Sequence, residues 1–77
     1  MEELLAYLAR SLVDRPAEVS VESFEEDDGT VVLELHVAEE DAGKVIGRGG
    51  RTVAALRTVL KAASVREGRR VLVDVVD

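Results

Sequence analysis

At 77 residues the chain has room for one small domain around one core, and 47% apolar with 34% charged residues describes a folded, water-compatible polypeptide. No cysteine is present, so disulfides, thiolate metal sites and thiol nucleophiles are excluded. The formal net charge of −6 argues against a uniformly basic nucleic-acid surface.

In chain order, Leu4, Leu5, Leu8 and Leu12 recur at helical spacing, with Glu2 and Glu3 at the positive end of the helix dipole and Pro16 beyond the last turn. This predicts an amphipathic helix over about residues 2–14. From Glu18 to Phe24 the pattern becomes period two, then Asp27-Asp28-Gly29-Thr30 interrupts it, and Val31, Leu33, Leu35 and Val37 alternate again. An Asp-Gly pair suits positive φ, so residues 18–38 read as a β-hairpin. Glu39, Glu40 and Asp41 then open a short helix that the glycines after Ile46 stop, and a second helical pattern runs from Arg51 to about Arg66. Its apolar arc is Val53, Leu56, Val59, Leu60 and Ala63, and Gly68 stands at the position of a C-terminal cap. Val71, Val73 and Val75 alternate in a last strand over about residues 70–76. The expected fold is α+β in the order α-β-β-α-α-β, one domain over residues 1–77, with a three-stranded sheet and its helices packed on one face.

The charge is sorted along this order. Residues 1–41 hold two basic side chains, Arg10 and Arg15, against thirteen acidic ones, a sum of −11. Residues 42–77 hold eight basic against three acidic, a sum of +5. Between Lys44 and Arg70 the one acid is Glu67, so the second half can present a positive face on an acidic molecule.

Gly47, Gly49 and Gly50 fall within four residues between two helices, where missing Cβ atoms let something approach the backbone. Unpaired N–H groups at the start of the following helix face the same space, and Arg48 and Arg51 add full charges, so an anion fits there. The alternative is a tight helix-to-helix turn. Two known phosphate loops fail on spacing. A dinucleotide fingerprint requires a preceding strand and a glycine two residues further on, and a Walker loop requires lysine at Arg51 and glycine at Val45.

The run Val45-Ile46-Gly47-Arg48-Gly49-Gly50 resembles the Ile-Gly-x-x-Gly signature of KH domains, whose loop clamps about four nucleotides of backbone. The element order looks like the bacterial type II arrangement. The stretch from Gly43 to Thr52, with Ala54-Ala55-Leu56-Arg57-Thr58, the opening Met1-Glu2-Glu3-Leu4 and the Val31-Leu33-Leu35 strand, is similar to the small stand-alone bacterial KH family called KhpA. One departure is Gly49, where a polar residue such as glutamine is expected in such proteins. The resemblance implies single-stranded RNA as ligand, with Gly47, Arg48, Gly49 and Gly50 on the sugar-phosphate backbone and Ile46 in the groove beside them; Arg51 adds charge at the loop, and Lys44, one turn away, extends the phosphate track or is solvated surface. It implies an aliphatic groove drawn from Val45, Ile46, Val53 and the strand Val31 to Val37. It also implies homodimers and pairing with a larger KH-containing partner, KhpB or Jag, and a role as RNA chaperone or post-transcriptional regulator in the cytoplasm.

Several residues carry competing readings. Arg57, Lys61, Arg69 and Arg70 extend the phosphate track or are solvated surface. Tyr7 and Phe24 are the only aromatics, so no stacking platform is expected and base selectivity should be weak. His36 reads as an exposed strand residue with no His or Cys to share a metal, and Glu25 to Asp28 as a solvated hairpin tip. Opposite the apolar arc, Ala54, Ala55, Thr58, Ala62 and Val65 form a face of small side chains suited to self-association or partner docking. No metal, cofactor, small-molecule substrate or membrane attachment is expected, and with one His and no Cys no nucleophile and base can be assembled for an enzyme. The rival function is a protein-association adaptor that keeps the loop for its shape.

Overall fold

The computed structural model describes residues 1–76. Its elements are α1 (Glu2–Arg10), β1 (Ser20–Glu25), β2 (Val31–His36), α2 (Ala42–Ile46), α3 (Arg51–Glu67) and β3 (Val71–Val76). Single 3₁₀ turns lie at Pro16–Glu18, Glu39–Asp41 and Arg48–Gly50. The sheet runs β1-β2-β3, with β1 antiparallel and β3 parallel to β2. This is the α+β order expected of one KH domain.

Strand alternation fixes which face is buried. Val31, Leu33 and Leu35 of β2 point into the core with Val73 of β3, while Val32, Glu34 and His36 lie on the outer face. Against the inner face pack Leu5 and Ala9 of α1, Val45 of α2, and Leu56 and Leu60 of α3. Leu5, Leu33, Leu35 and Leu60 are fully buried, each contributing about 1.5–3 kcal/mol by removal from water.

Two local expectations are corrected. The first helix stops at Arg10 instead of continuing to about residue 14. Ser11 turns its hydroxyl back to the Tyr7 carbonyl (2.9 Å), and Leu12 N–H closes a tighter turn on Ala9 (3.0 Å). The chain then leaves the helix because buried Asp41 draws the N–H groups of Asp14 (3.2 Å) and Arg15 (3.0 Å). Pro16 next in line also disfavours helical geometry at Arg15. In α3 the buried stripe is Val53, Leu56, Leu60 and Ser64, whereas Val59, expected in the core, is 45% exposed.

The hairpin turn is set by side-chain chemistry. Asp28 Oδ1 accepts from Thr30 N–H (2.9 Å), Gly29 adopts φ 88°, and Glu26 N–H bonds the Thr30 carbonyl (2.8 Å). Hydrogen bonding from the Thr30 N–H, then from its hydroxyl, holds the Asp28 carboxyl below the usual carboxylate range.

Candidate nucleic-acid interface

The loop between α2 and α3 is shaped by one close approach. Gly47 takes φ 77°, ψ 169°, and a Cβ placed there would lie 2.2 Å from Thr52 Oγ1 and 2.9 Å from the Thr52 backbone nitrogen. The chain folds back so tightly that no side chain fits. Gly47 N–H caps α2 on the Gly43 carbonyl (2.9 Å), and Gly50 N–H closes the next turn on the Gly47 carbonyl (3.1 Å). Arg48 and Gly49 project from the tip and are exposed.

The start of α3 is electrostatically bare. Gly50 occupies its N-cap, no side chain caps its first N–H groups, and its first turn contains no acid. A 17-residue helix therefore turns the positive end of its dipole toward Arg48 and Arg51 with no side-chain cap, the Arg51 N–H being bonded to the Arg48 carbonyl. This arrangement suits a phosphate better than any neutral group.

A track leads away from the loop. At about 100° per residue, Gly50, Ala54, Arg57 and Lys61 lie within about 60° of one another on α3. Arg57 and Lys61 of that stripe, with Val71, Leu72, Val73 and Asp74 of β3, an edge of the sheet, line a groove of about 340 Å³. Arg57 Nε donates to the Val73 carbonyl at 3.3 Å, which fixes its guanidinium along the groove. Among the described residues, Arg48, Arg51, Arg57, Lys61, Arg66 and Arg70 make no ion pair.

The sequence-selected residues divide accordingly. Gly47 to Arg51 and exposed Ile46 come together at the loop. Lys44 does not join them, because it pairs with Asp14 and lies 3.8 Å from Asp41. The hydrogen bond with Asp14, reinforced by the charges of both acids, raises the Lys44 pKa above its ordinary value. Val45, Val53, Val31, Leu33, Leu35 and Val37 belong to the core and are closed to a ligand. The accessible aliphatic surface is instead Ile46, 41% exposed, and Leu72, 45% exposed. Leu72 was readable as the outward position of the last strand, but its place in the groove depends on β3 being an edge.

A second apolar surface lies between α1 and α3, where Leu8, Leu12, Thr52, Ala55, Leu56 and Val59 line a trough of about 300 Å³. Ala55 joins this trough to the small-residue face of Thr58, Ala62 and Val65, all exposed.

Comparison with known proteins gives one consistent match. The KH-domain model of the KhpA/KhpB family matches residues 2–75. The RNA-binding protein KhpA of Clostridium acetobutylicum is 50% identical over 76 residues, covering 99% of this chain and 100% of the relative. Its namesake in Treponema pallidum is 49% identical over 76 residues, covering 99% and 94%. The one in Halalkalibacterium halodurans is 46% identical over 78 residues, covering both chains completely.

Proposed function

This chain belongs to the KhpA/KhpB KH-domain family, and from that premise we propose that it binds single-stranded RNA at the loop Gly47-Arg48-Gly49-Gly50 and along the α3–β3 groove. The observation that carries the reading is the N-terminus of α3, which has no side-chain cap and opens onto a glycine loop flanked by Arg48 and Arg51, neither in an ion pair among the described residues. Phosphates seat on loop N–H groups and arginines, bases lie over Ile46 and Leu72, and Arg57 and Lys61 continue the backbone track. Without an aromatic in the groove, sequence selectivity is low. The protein acts by occupying or remodelling RNA, as a chaperone or post-transcriptional regulator in the cytoplasm, and no catalytic step is assigned to it.

The test is a fluorescence-anisotropy titration of a short labelled single-stranded RNA pool with wild type and with Arg48→Asp/Gly49→Asp, at two salt concentrations. Wild type binds, more weakly at the higher salt. The loop variant keeps its circular dichroism spectrum and loses binding. Equal affinity in both proteins would overturn the assignment.

The trough of Leu8, Leu12, Ala55 and Val59 favours a second role in association, as a homodimer or with a larger KhpB-like partner. A dimer would present two loops to one strand and raise avidity. Thr58→Glu with Ala62→Glu should halve the mass seen by sedimentation; unchanged mass would remove this face from the interface.

A further inference from the structure

The sheet's outer face is laid out in rows by strand register: Ser20, His36 and Val76; Glu22, Glu34 and Asp74; Phe24, Val32 and Leu72. None of the nine is Lys or Arg. The middle row sets three carboxylates side by side across three strands, where like charges directly opposite one another oppose pairing. His36 follows Glu34 by two residues and shares its face. Its Nε2 lies 3.5 Å from Glu22 Oε1 and 3.5 Å from Glu34 Oε1. That nitrogen is closed to solvent and has no hydrogen-bond partner among the described residues, an uncommon state for a buried polar atom.

From this cluster we propose that Glu22, Glu34 and His36 form a binding site for a divalent transition metal of the zinc class. Zinc ligands at about 2.0–2.2 Å in tetrahedral directions stand roughly 3.3–3.6 Å from one another. The two His36–Glu separations match that spacing, and the three ligand atoms all lie within 4.8 Å of one another. One imidazole nitrogen selects zinc, cobalt or nickel over calcium and magnesium, which prefer oxygen alone. Two carboxylates neutralise the ion, and Asp74, in register with Glu34, adds negative charge behind them. No second His or Cys in the sequence marks His36 as a ligand, but antiparallel pairing brings Glu22 across from β1. The bound ion ties β1, an outer strand held on one side, to β2. The site lies on the sheet face turned away from the helices, and its three ligands do not line the α3–β3 groove, which this face meets at Leu72 and Asp74.

The experiment is a zinc chloride titration of the EDTA-treated full chain by calorimetry, followed in parallel by NMR of the imidazole protons, which are unambiguous because His36 is the sole histidine. Wild type should bind one equivalent, shift the His36 resonances, and give the visible d–d absorption of a nitrogen-ligated site with cobalt. His36→Ala and Glu34→Gln should each weaken binding at least tenfold, while Asp27→Asn/Asp28→Asn at the hairpin tip leaves it unchanged. His36→Gln serves where the alanine variant does not fold. Absence of saturable binding, binding that leaves the His36 resonances unmoved, or binding lost only in the hairpin-tip variant would each overturn the site.

Discussion

Replacing Gly47 with alanine should damage this protein far more than the same change at Gly49, although both are loop glycines at positive φ. At Gly47 the added Cβ meets Thr52 Cβ at 2.7 Å and the Thr52 backbone nitrogen at 2.9 Å, and the second contact cannot be relieved by a side-chain rotation. Its φ 77°, ψ 169° also lies in a region essentially reserved for glycine, costing about 1–3 kcal/mol for any other residue. Forcing a methyl into a filled space adds about 1–3 kcal/mol, so the total is about 2–6 kcal/mol. At Gly49 (φ 64°, ψ 19°) nothing lies within 4 Å of the new Cβ, leaving a left-handed penalty of about 1–2 kcal/mol. A domain of this length has roughly 4–11 kcal/mol in all, so Gly47→Ala should consume much of it. Urea denaturation followed by circular dichroism should place the Gly47→Ala midpoint well below that of Gly49→Ala. Thr52→Ala should not rescue it, because the backbone contact remains. Equal midpoints for the two alanine variants would refute the close-approach argument.

Other consequences follow from single contacts. Asp41→Ala strips the buried acceptor of the Asp14 and Arg15 N–H groups and should lower stability by about 2–4 kcal/mol, measured as a shift in denaturation midpoint. Lys61→Ala should reduce the slope of log affinity against log salt by about 0.7 for a single strand, with stability unchanged; Arg57→Ala should do the same and also lose about 0.5–1.5 kcal/mol with its bond to Val73. Asp28 has a folded pKa below its unfolded value, so its contribution is present above the unfolded pKa, about 3.9, and is lost as pH falls through the folded one. The stability difference between wild type and Asp28→Asn should therefore shrink on acidification below about pH 4, as read by urea titration at several pH values.

What was legible in the sequence was what local signals encode. Period-two runs gave the three strands, and the glycine spacing gave the loop. Gly68, with φ 69°, closes α3 where a cap was expected, Arg69 N–H returning to the Ser64 carbonyl at 3.1 Å. The misplaced features depend on contacts distant in sequence. The end of α1 is decided by Asp41, which competes for the N–H groups of Asp14 and Arg15 across 27 and 26 positions. Val59 fits the apolar arc of α3 but lines an open trough, because α1 has ended before the turn that would cover it. Lys44 lies one turn from the loop along the chain, yet Asp14 claims it from another element. Glu22 meets His36 only through strand register.

The same long-range arrangement explains how a chain of net charge −6 can receive a polyanion. Exposed charges separated by more than the screening length, about 8 Å at physiological salt, act only weakly on one another, so a bound polyanion feels the local charge more than the net one. The molecule measures 34 × 21 × 18 Å, so opposite faces are separated by about two such lengths or more. Glu22, Glu34 and the acids of the hairpin tip therefore weaken little of the field at the loop, where Arg48 and Arg51 make no ion pair among the described residues, whereas Asp74 lines the groove beside Arg57 and Lys61 and offsets part of their charge. The effect of Glu22 and Glu34 is felt by a strand that approaches from the wrong side. A face with Glu22 and Glu34 and no Lys or Arg would repel phosphate and so favour encounter at the loop and the α3–β3 edge. In a protein with few groups to read bases, this exclusion would do work that a larger interface does by contact, and under the proposed function the acidic half of the chain would direct where RNA binds.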